Sequence, residues 1–239
     1  MKNKFLLDRV SLSIRVYDHV KRRIVANELP FGSKLTEDGL AKELGISRTP
    51  IREALNRLAQ DRLVTVSPGR GAFVATFSFD DMVQLLEIRE TLEGMAARLA
   101  SKRITKETLE KLRQRLKAAA QKQEHNGYKG YLDADRDFHE CVISACGNHQ
   151  LSQLMKSLQD RIQMLRSRSV MLPGRARKSF QEHMEIIDAL SARDPDLAEE
   201  KIRTHIRNVK GDLEIAIANR QRDRLETHAG EQAINNNRS

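Results

Sequence analysis

This sequence has no long apolar run and no two cysteines at a spacing that suits a disulfide. No stretch approaches the about 18 consecutive apolar residues that suggest a membrane-spanning helix. The N-terminal run from Met1 to Asp8 breaks off before it forms a signal-peptide core. The two cysteines, Cys141 and Cys146, lie five positions apart on one predicted helix, which is poor geometry for a disulfide. We therefore expect a cytoplasmic protein with reduced thiols and no membrane partner.

An internal repeat of fixed period is also missing, and a chain of 239 residues with 39% hydrophobic residues suits two modest domains. Charge is divided unevenly along it. Residues 1–78 hold 14 Lys and Arg against 8 Asp and Glu, a balance of +6, whereas the other 161 residues hold 28 against 25, a balance of +3. A basic domain gains affinity for nucleic acid by neutralising phosphates and releasing counterions, although a basic surface also serves solubility. The order of the motifs decides between these two roles.

The first 60 residues have the pattern of three helices joined by tight turns. Apolar residues recur at helical spacing over 12–27 and predict an amphipathic first helix. A short second helix is predicted from Thr36, as its N-cap, to Leu44. Gly45 supplies a tight corner before Ser47, the N-cap of a third helix. This order is typical of a helix-turn-helix.

The third helix, which opens at 47–55 as Ser-Arg-Thr-Pro-Ile-Arg-Glu-Ala-Leu, has two different faces. Pro50 is tolerated in the first turn because N–H groups there lack intrahelical partners. At about 100° per residue, one face is apolar and is predicted to be core: Ile51, Ala54, Leu55 and Leu58. The opposite face is polar and can meet DNA: Thr49, Arg52 and Asn56.

Beyond Leu63 the hydrophobic period drops to two, over 64–66 and again over 72–74. The two runs are joined by Ser-Pro-Gly-Arg-Gly at 67–71, which is a hairpin signal. We predict that this hairpin is a wing with Arg70 near its tip.

Two runs of this sequence closely resemble the winged-helix domain of GntR-family bacterial transcription regulators. They are Leu-Ala-x-x-Leu-Gly-Ile-Ser-Arg-Thr-Pro-Ile-Arg-Glu-Ala-Leu at 40–55 and Arg-Gly-Ala-Phe-Val at 70–74. The resemblance implies that double-stranded DNA is contacted by the start of the third helix and by the wing tip. With Asn56 from the polar helix face, the expected DNA-binding residues are Arg48, Thr49, Arg52, Asn56, Arg70 and Gly71. Asp38 stands where some relatives have a basic residue, so one phosphate contact is expected to be missing.

From Ser78 to 219 the sequence predicts six helices and no strand. The breaks are turn or capping signals at Thr105, Asn126-Gly127, Gly147-Asn148, Pro173-Gly174 and Asp194-Pro195. The expected fold class is therefore mainly α, with an N-terminal winged helix-turn-helix domain over 10–77 and a C-terminal all-α antiparallel helical bundle over 78–220. The polar stretch 221–239 is predicted to be a disordered tail.

Polar side chains interrupt the apolar stripes of three of these helices. Asp135 and His139 lie one turn apart among apolar neighbours, and His183 and His205 each share an apolar stripe on a later helix. Burying such groups unpaired costs several kcal/mol, so they are expected to satisfy one another or to share an ion. A satisfied polar contact and a metal site both fit this pattern.

The same residues belong to a wider pattern that resembles the all-helical FCD domain of the FadR subgroup of GntR regulators. Its members here are Asp135, Phe138, His139, Asn148, Glu182, His183, Ile186, Ala189, Leu190, Asp194 and His205. The resemblance implies a divalent metal held by Asp135 and the three histidines. Three imidazoles and one carboxylate suit zinc, nickel, manganese or iron better than calcium.

Arg89 lies in the apolar sector of the predicted helix 80–101. A buried guanidinium needs an anion, which is either Glu93 one turn later or a bound acid. The resemblance to the FadR subgroup favours the second role and implies that Arg89 binds a small carboxylate effector.

Three functions are compatible with these patterns. The first is an effector-responsive repressor, a homodimer that binds an operator of two-fold symmetry and senses a small organic or sugar acid. The second is a metal-responsive regulator without an organic effector. The third, a metalloenzyme, is disfavoured because no nucleophile motif or evident general base accompanies the metal set. We therefore expect a regulator and not an enzyme.

Overall fold

The computed structural model describes the backbone of residues 2–67, 69–126 and 129–236, and the side chains of 12–67, 69–122 and 130–219. Within these ranges the elements are α1 Lys2–Val25, β1 Lys34–Leu35, α2 Glu37–Leu44, α3 Arg48–Gln60, β2 Val64–Ser67, β3 Gly71–Val74, α4 Phe79–Ala100, α5 Lys106–Asn126, α6 Lys129–Ala145, α7 His149–Ser169, α8 Arg175–Ser191 and α9 Pro195–Asn236. They form two compact units. The first contains the residues up to Met82 and Lys156–Ser167, and the second contains Val83–Met155 and the residues from Arg168 onward.

The helices of the first unit form the predicted helix-turn-helix. The apolar face of α3 is buried, and it consists of Ile51, Ala54, Leu55 and Leu58. Burial of each leucine or isoleucine side chain contributes roughly 1.5–3 kcal/mol. Thr36 caps α2 by accepting a hydrogen bond from the Gly39 N–H at 3.1 Å, and Gly45 ends the helix with a left-handed φ of 66°. Ser47 is the N-cap of α3, but its side chain makes no capping hydrogen bond.

The predicted hairpin is present as an antiparallel pair of strands. β2 and β3 pair from Val64 opposite Val74 to Ser67 opposite Gly71. β1 pairs with the other edge of β3, so the strand order is β1-β3-β2. β1 is an addition to the prediction, because a strand of two residues is too short to show a period.

The middle of α7 packs with the winged helix-turn-helix. Met164 is fully buried and joins the apolar core formed by α1, α3 and the wing. Lys21 Nζ lies 2.6 Å from Asp160 Oδ2, and the Arg161 guanidinium lies 5.5 Å from the centroid of the Phe77 ring. From the sequence, all of this helix was predicted to belong to the helical domain, because the spacing of apolar residues along a helix does not show which hydrophobic core each residue joins.

The second unit contains helices at the predicted places. Three of the predicted breaks hold capping residues: the N–H groups of Thr108, Leu151 and Leu197 donate to the side-chain oxygens of Thr105, Asn148 and Asp194 at 3.0–3.1 Å. α8 packs against α9 and α5, and α5 also packs against α6. The mainly α fold class, with a wing and a C-terminal helical domain, is confirmed, while Gly127 of one predicted break lies outside the described residues.

Two helices are longer than the sequence patterns predicted. α1 begins at Lys2 instead of residue 12, and α9 extends to Asn236 through most of the predicted tail. Residues 2–11 contain no Gly or Pro, and residues 221–236 contain only Gly230, so neither segment carries a strong stop signal. Residues 237–239 of the predicted tail lie outside the described residues. No described helix combines the length and the hydropathy that crossing a bilayer would require.

Candidate metal centre and nucleic-acid interface

Four polar side chains from three helices meet in the interior of the second unit. Asp135 and His139 lie one turn apart on α6, and α8 and α9 bring His183 and His205 to them. All four residues are buried, and one possible ligand atom from each lies within 4.8 Å of the others. Two ligands of an ion bound at roughly 2.1 Å lie at most about 4.2 Å apart. Small side-chain movements would therefore allow all four residues to share one ion.

The Nε2 atoms of His139 and His183 face each other in this cluster. His183 Nε2 lies 3.2 Å from His139 Nε2 and 3.5 Å from Asp135 Oδ1. The three imidazole centroids are 4.6–5.2 Å apart. The structure thus brings together the four residues that the sequence singled out, although they come from positions 70 residues apart.

Each imidazole also has a partner at its Nδ1 atom. Glu93 Oε2 lies 2.5 Å from Nδ1 of His139, Glu182 Oε2 lies 2.7 Å from Nδ1 of His205, and the Tyr131 hydroxyl lies 3.4 Å from Nδ1 of His183. An ionised carboxylate only accepts hydrogen bonds, so these two contacts favour the imidazole tautomer that carries the proton on Nδ1 and has the lone pair on Nε2. Metal-binding histidines are oriented in the same way.

The donor set fits a transition metal. Three imidazole nitrogens and one carboxylate oxygen suit zinc, nickel, manganese or iron, whereas calcium and magnesium prefer sites built mostly from oxygen. The outer partners Glu93, Glu182 and Tyr131 were not assigned to the site from sequence, because they lie on other helices or at other helical positions. One signal was available: Glu182 directly precedes His183.

Arg89 lies beside this cluster and is only 1% exposed. Its Nε donates to Glu93 Oε1 at 2.6 Å, so the internal ion pair that the sequence left open is present. Its Nη2 lies 3.1 Å from Nε2 and 3.4 Å from Nδ1 of His139, so it lies over the face of that imidazole. Its role toward an effector stays a prediction.

A cleft of ≈ 250 Å³ opens between α8 and α9, and His205 and Glu182 form part of its wall. This volume is below the about 300 Å³ at which typical ligand pockets begin, so only a small molecule fits. Burial raises the pKa of the Glu182 carboxyl, and the nearby Arg175 guanidinium opposes that shift. The cleft therefore reaches the cluster through one histidine and its carboxylate partner.

The predicted DNA-binding residues of α3 are exposed on the first unit: Arg48, Thr49, Arg52 and Asn56. Arg52 donates from Nε and Nη2 to the two oxygens of Glu37, at 2.8 and 2.7 Å. These hydrogen bonds are the main reason why the pKa of the Glu37 carboxyl is lowered. Arg48 Nε lies 2.5 Å from Asp38 Oδ1. Two acidic residues of α2 thus pair with two arginines of α3, which the sequence analysis did not predict.

The wing exposes Arg70 and Gly71, the other two predicted DNA-binding residues. The Arg70 N–H donates to the Ser67 carbonyl at 3.0 Å and closes the turn. Gly71 has a φ of 100°, which residues other than glycine adopt only with strain. A glycine here allows close approach of the backbone to a groove.

Two family models match the chain. Residues 12–74 match "Bacterial regulatory proteins, gntR family", and residues 84–208 match the FCD domain. The first segment coincides with the winged helix-turn-helix, and the second runs from α4 into α9. The FCD match includes every residue of the buried cluster.

Several known proteins are similar over most of the chain. A probable D-xylose utilization operon transcriptional repressor of Paenarthrobacter nicotinovorans is 30% identical over 203 residues, which is 84% of this chain and 88% of that protein. The Nta operon transcriptional regulator of Aminobacter aminovorans is 30% identical over 176 residues, or 73% of this chain and 81% of that one.

Among solved structures, E. coli McbR/YncC matches with a TM-score of 0.71 at 24% identity, covering 88% of this chain and 98% of that one, and shows the same fold. The family matches and the relatives are transcription regulators, not enzymes. This chain belongs to the GntR family of bacterial regulatory proteins, in the group whose second domain is an FCD domain.

Proposed function

We propose that this regulator is a repressor that senses a small organic or sugar acid through a metal in its FCD domain. The observation that carries this proposal is the cluster of Asp135, His139, His183 and His205, four buried residues whose ligand atoms lie within 4.8 Å. Three buried imidazoles beside a carboxylate need a shared ion or mutual hydrogen bonds to offset the loss of solvation. A divalent ion satisfies all four at once.

DNA binding falls to α3 and the wing. The guanidinium groups of Arg48 and Arg52 each have the fork that suits a phosphate or a guanine edge, and both are exposed. Thr49, Asn56, Arg70 and Gly71 complete the surface. A homodimer would present two copies of it to an operator with two-fold symmetry.

The FCD domain would hold zinc, nickel, manganese or iron. A metal with four protein ligands and a coordination number of five or six keeps positions for a carboxylate or hydroxyl of the effector. Arg89 is the cation that would bind the rest of that acid, because its Nη2 lies 3.1 Å from His139 Nε2. The effector class is therefore a small molecule with at least one carboxylate.

Regulation requires that the acid bind one arrangement of the dimer better than another, since this difference alone changes operator affinity. We expect the acid to weaken DNA binding and to relieve repression. The similarity to the Paenarthrobacter protein, a probable D-xylose utilization operon transcriptional repressor, supports this direction.

A second candidate is a regulator that responds to metal alone. One observation favours it: Glu93 already pairs with Arg89 at 2.6 Å, so this arginine does not need an acid for charge balance. The two candidates differ in whether an acid binds the metal-loaded protein.

Calorimetry of the metal-loaded protein against a panel of hydroxy and sugar acids separates these candidates. Heat from one acid that disappears in Arg89→Ala and persists in Arg98→Ala supports the effector model. Arg98 is a suitable control because it lies on the same helix but is exposed and pairs with Asp196 and Glu199. Operator release by metal alone, with no heat from any acid, refutes the effector model.

A further inference from the structure

Glu93 contacts both Arg89, which the proposed function assigns to the acid, and His139, which it assigns to the metal. Its side chain is fully buried, and each carboxylate oxygen has its own partner. Oε1 accepts from Nε of Arg89 at 2.6 Å, and Oε2 accepts from Nδ1 of His139 at 2.5 Å. One carboxylate therefore joins the arginine proposed to bind the acid to a histidine proposed to bind the metal.

Arg89 also lies against the ring of His139. Its Nη2 is 3.1 Å from Nε2 and 3.4 Å from Nδ1, so this nitrogen lies over the ring face and not along the in-plane lone pair of Nε2. The positive charge of Arg89 would therefore oppose a cation at Nε2 without occupying its lone pair.

Glu182 provides an internal comparison. It accepts from Nδ1 of His205 at 2.7 Å, as Glu93 does from His139. Its other hydrogen bonds come from Arg175 and from Asn208, neither of which is among the four clustered residues or the proposed effector residue. Glu182 thus supports a histidine without a contact to Arg89.

We propose that Glu93 is a positioning residue that would hold His139 as a metal ligand and that keeps Arg89 beside the same imidazole. This inference rests on the proposed function. Glu93 favours the imidazole tautomer with Nδ1 protonated and supplies negative charge beside the site, whereas Arg89 would oppose a bound cation through its positive charge.

The two residues should therefore have opposite effects on metal affinity. Glu93→Gln keeps the size of the side chain but removes its charge, and we expect zinc affinity to fall by about 10- to 100-fold, as for other partners of metal-binding histidines. Arg89→Met keeps an extended apolar side chain and removes the positive charge beside Nε2, and we expect zinc affinity to rise several-fold. A purely structural role would make both variants bind zinc more weakly.

The test is calorimetric titration of the demetallated full-length protein with zinc, for wild type, both single variants and the double variant, after circular dichroism has verified folding. Glu182→Gln, alone and with Arg89→Met, is the matched control. We expect the effects of Arg89→Met and Glu93→Gln to be non-additive, and those of Arg89→Met and Glu182→Gln to add.

Three outcomes would contradict the inference. Unchanged zinc affinity in Glu93→Gln, or weakened affinity in Arg89→Met, overturns the role of Glu93 while leaving the metal site intact. Equal coupling of Arg89 to Glu93 and to Glu182 also overturns it. Absence of zinc binding by folded wild type has a different consequence, because it removes the proposed metal site itself.

Discussion

Two arginine–carboxylate pairs of this chain have nearly the same hydrogen-bond lengths and opposite surroundings. Arg52 on α3 donates to Glu37 at 2.7 and 2.8 Å, with its side chain 63% exposed. Arg89 on α4 donates to Glu93 at 2.6 Å, with both side chains at most 1% exposed. Exposure to solvent, and not hydrogen-bond length, decides whether each arginine can exchange its carboxylate partner for another group.

An exposed ion pair contributes little to stability, because water and salt screen it and two long side chains lose freedom to form it. Arg52 can therefore exchange Glu37 for a DNA phosphate or base at small cost. A buried pair is different: removal of one partner leaves an uncompensated charge and typically costs about 3–5 kcal/mol. Arg89 is consequently tied to Glu93 unless another anion or a nearby ion changes the local charge.

We expect the largest effect on stability from loss of a histidine in the buried cluster beside Arg89. We expect wild type to gain thermal stability with excess zinc, because a ligand at a thousandfold its Kd stabilises by about 4 kcal/mol, or roughly 8 to 16 °C in Tm for a protein of this size. His183→Ala should lose most of this gain, since it removes a ligand. The measurements are scanning calorimetry with and without zinc, and metal analysis after gentle purification.

His149→Ala is the matched control for this experiment. His149 is an exposed histidine at the start of α7, outside the cluster, so its loss should leave zinc stabilisation unchanged. If zinc stabilises His183→Ala as strongly as wild type, the cluster is a set of mutual hydrogen bonds and the proposed metal site is wrong.

Local patterns predicted much of this architecture. The buried face of α3 followed from the spacing of Ile51, Ala54, Leu55 and Leu58, and three later helix starts followed from capping residues. The four clustered residues were found because each interrupts an apolar stripe. A polar residue on a buried face requires a partner, so its presence predicts a site before its partners are known.

Partners that lie far apart in sequence were harder to predict. The contacts of Glu93 with His139 and of Glu182 with His205 depend on side-chain rotamers and on helix packing, which periodicity does not encode. The pairing of acidic residues of α2 with arginines of α3 was not predicted for the same reason, because it depends on the angle between two short helices. Sequence patterns identify which face is buried, but not which neighbour it meets.

Removal of the exposed arginine should affect DNA and leave the fold intact. We expect Arg52→Ala to weaken operator binding by roughly 5- to 150-fold, the range for one base-contacting arginine. Its side chain lies opposite the core face of α3, so circular dichroism and Tm should be nearly unchanged. Fluorescence anisotropy with labelled operator at fixed salt measures the effect.

Arg57→Ala controls for loss of positive charge on the same helix. The Arg57 guanidinium lies 4.4 Å from the centroid of the Tyr17 ring, away from the polar face that carries Arg52. It should weaken binding far less than Arg52→Ala. Equal losses in the two variants would show that α3 contributes only general charge.

The smallest expected effect concerns the acid that holds Arg52. Glu37→Gln removes a negative charge next to the proposed phosphate contacts and frees the guanidinium, so we expect DNA affinity to rise, by up to about fivefold. The rise should shrink with increasing salt, because both the lost repulsion and the lost ion pair are screened. Anisotropy titrations with operator and with unrelated DNA, at two salt concentrations, measure this change. A fall in operator affinity without a change for unrelated DNA would instead mean that Glu37 orients Arg52 for base recognition, and the exposed pair would then resemble the buried one in function.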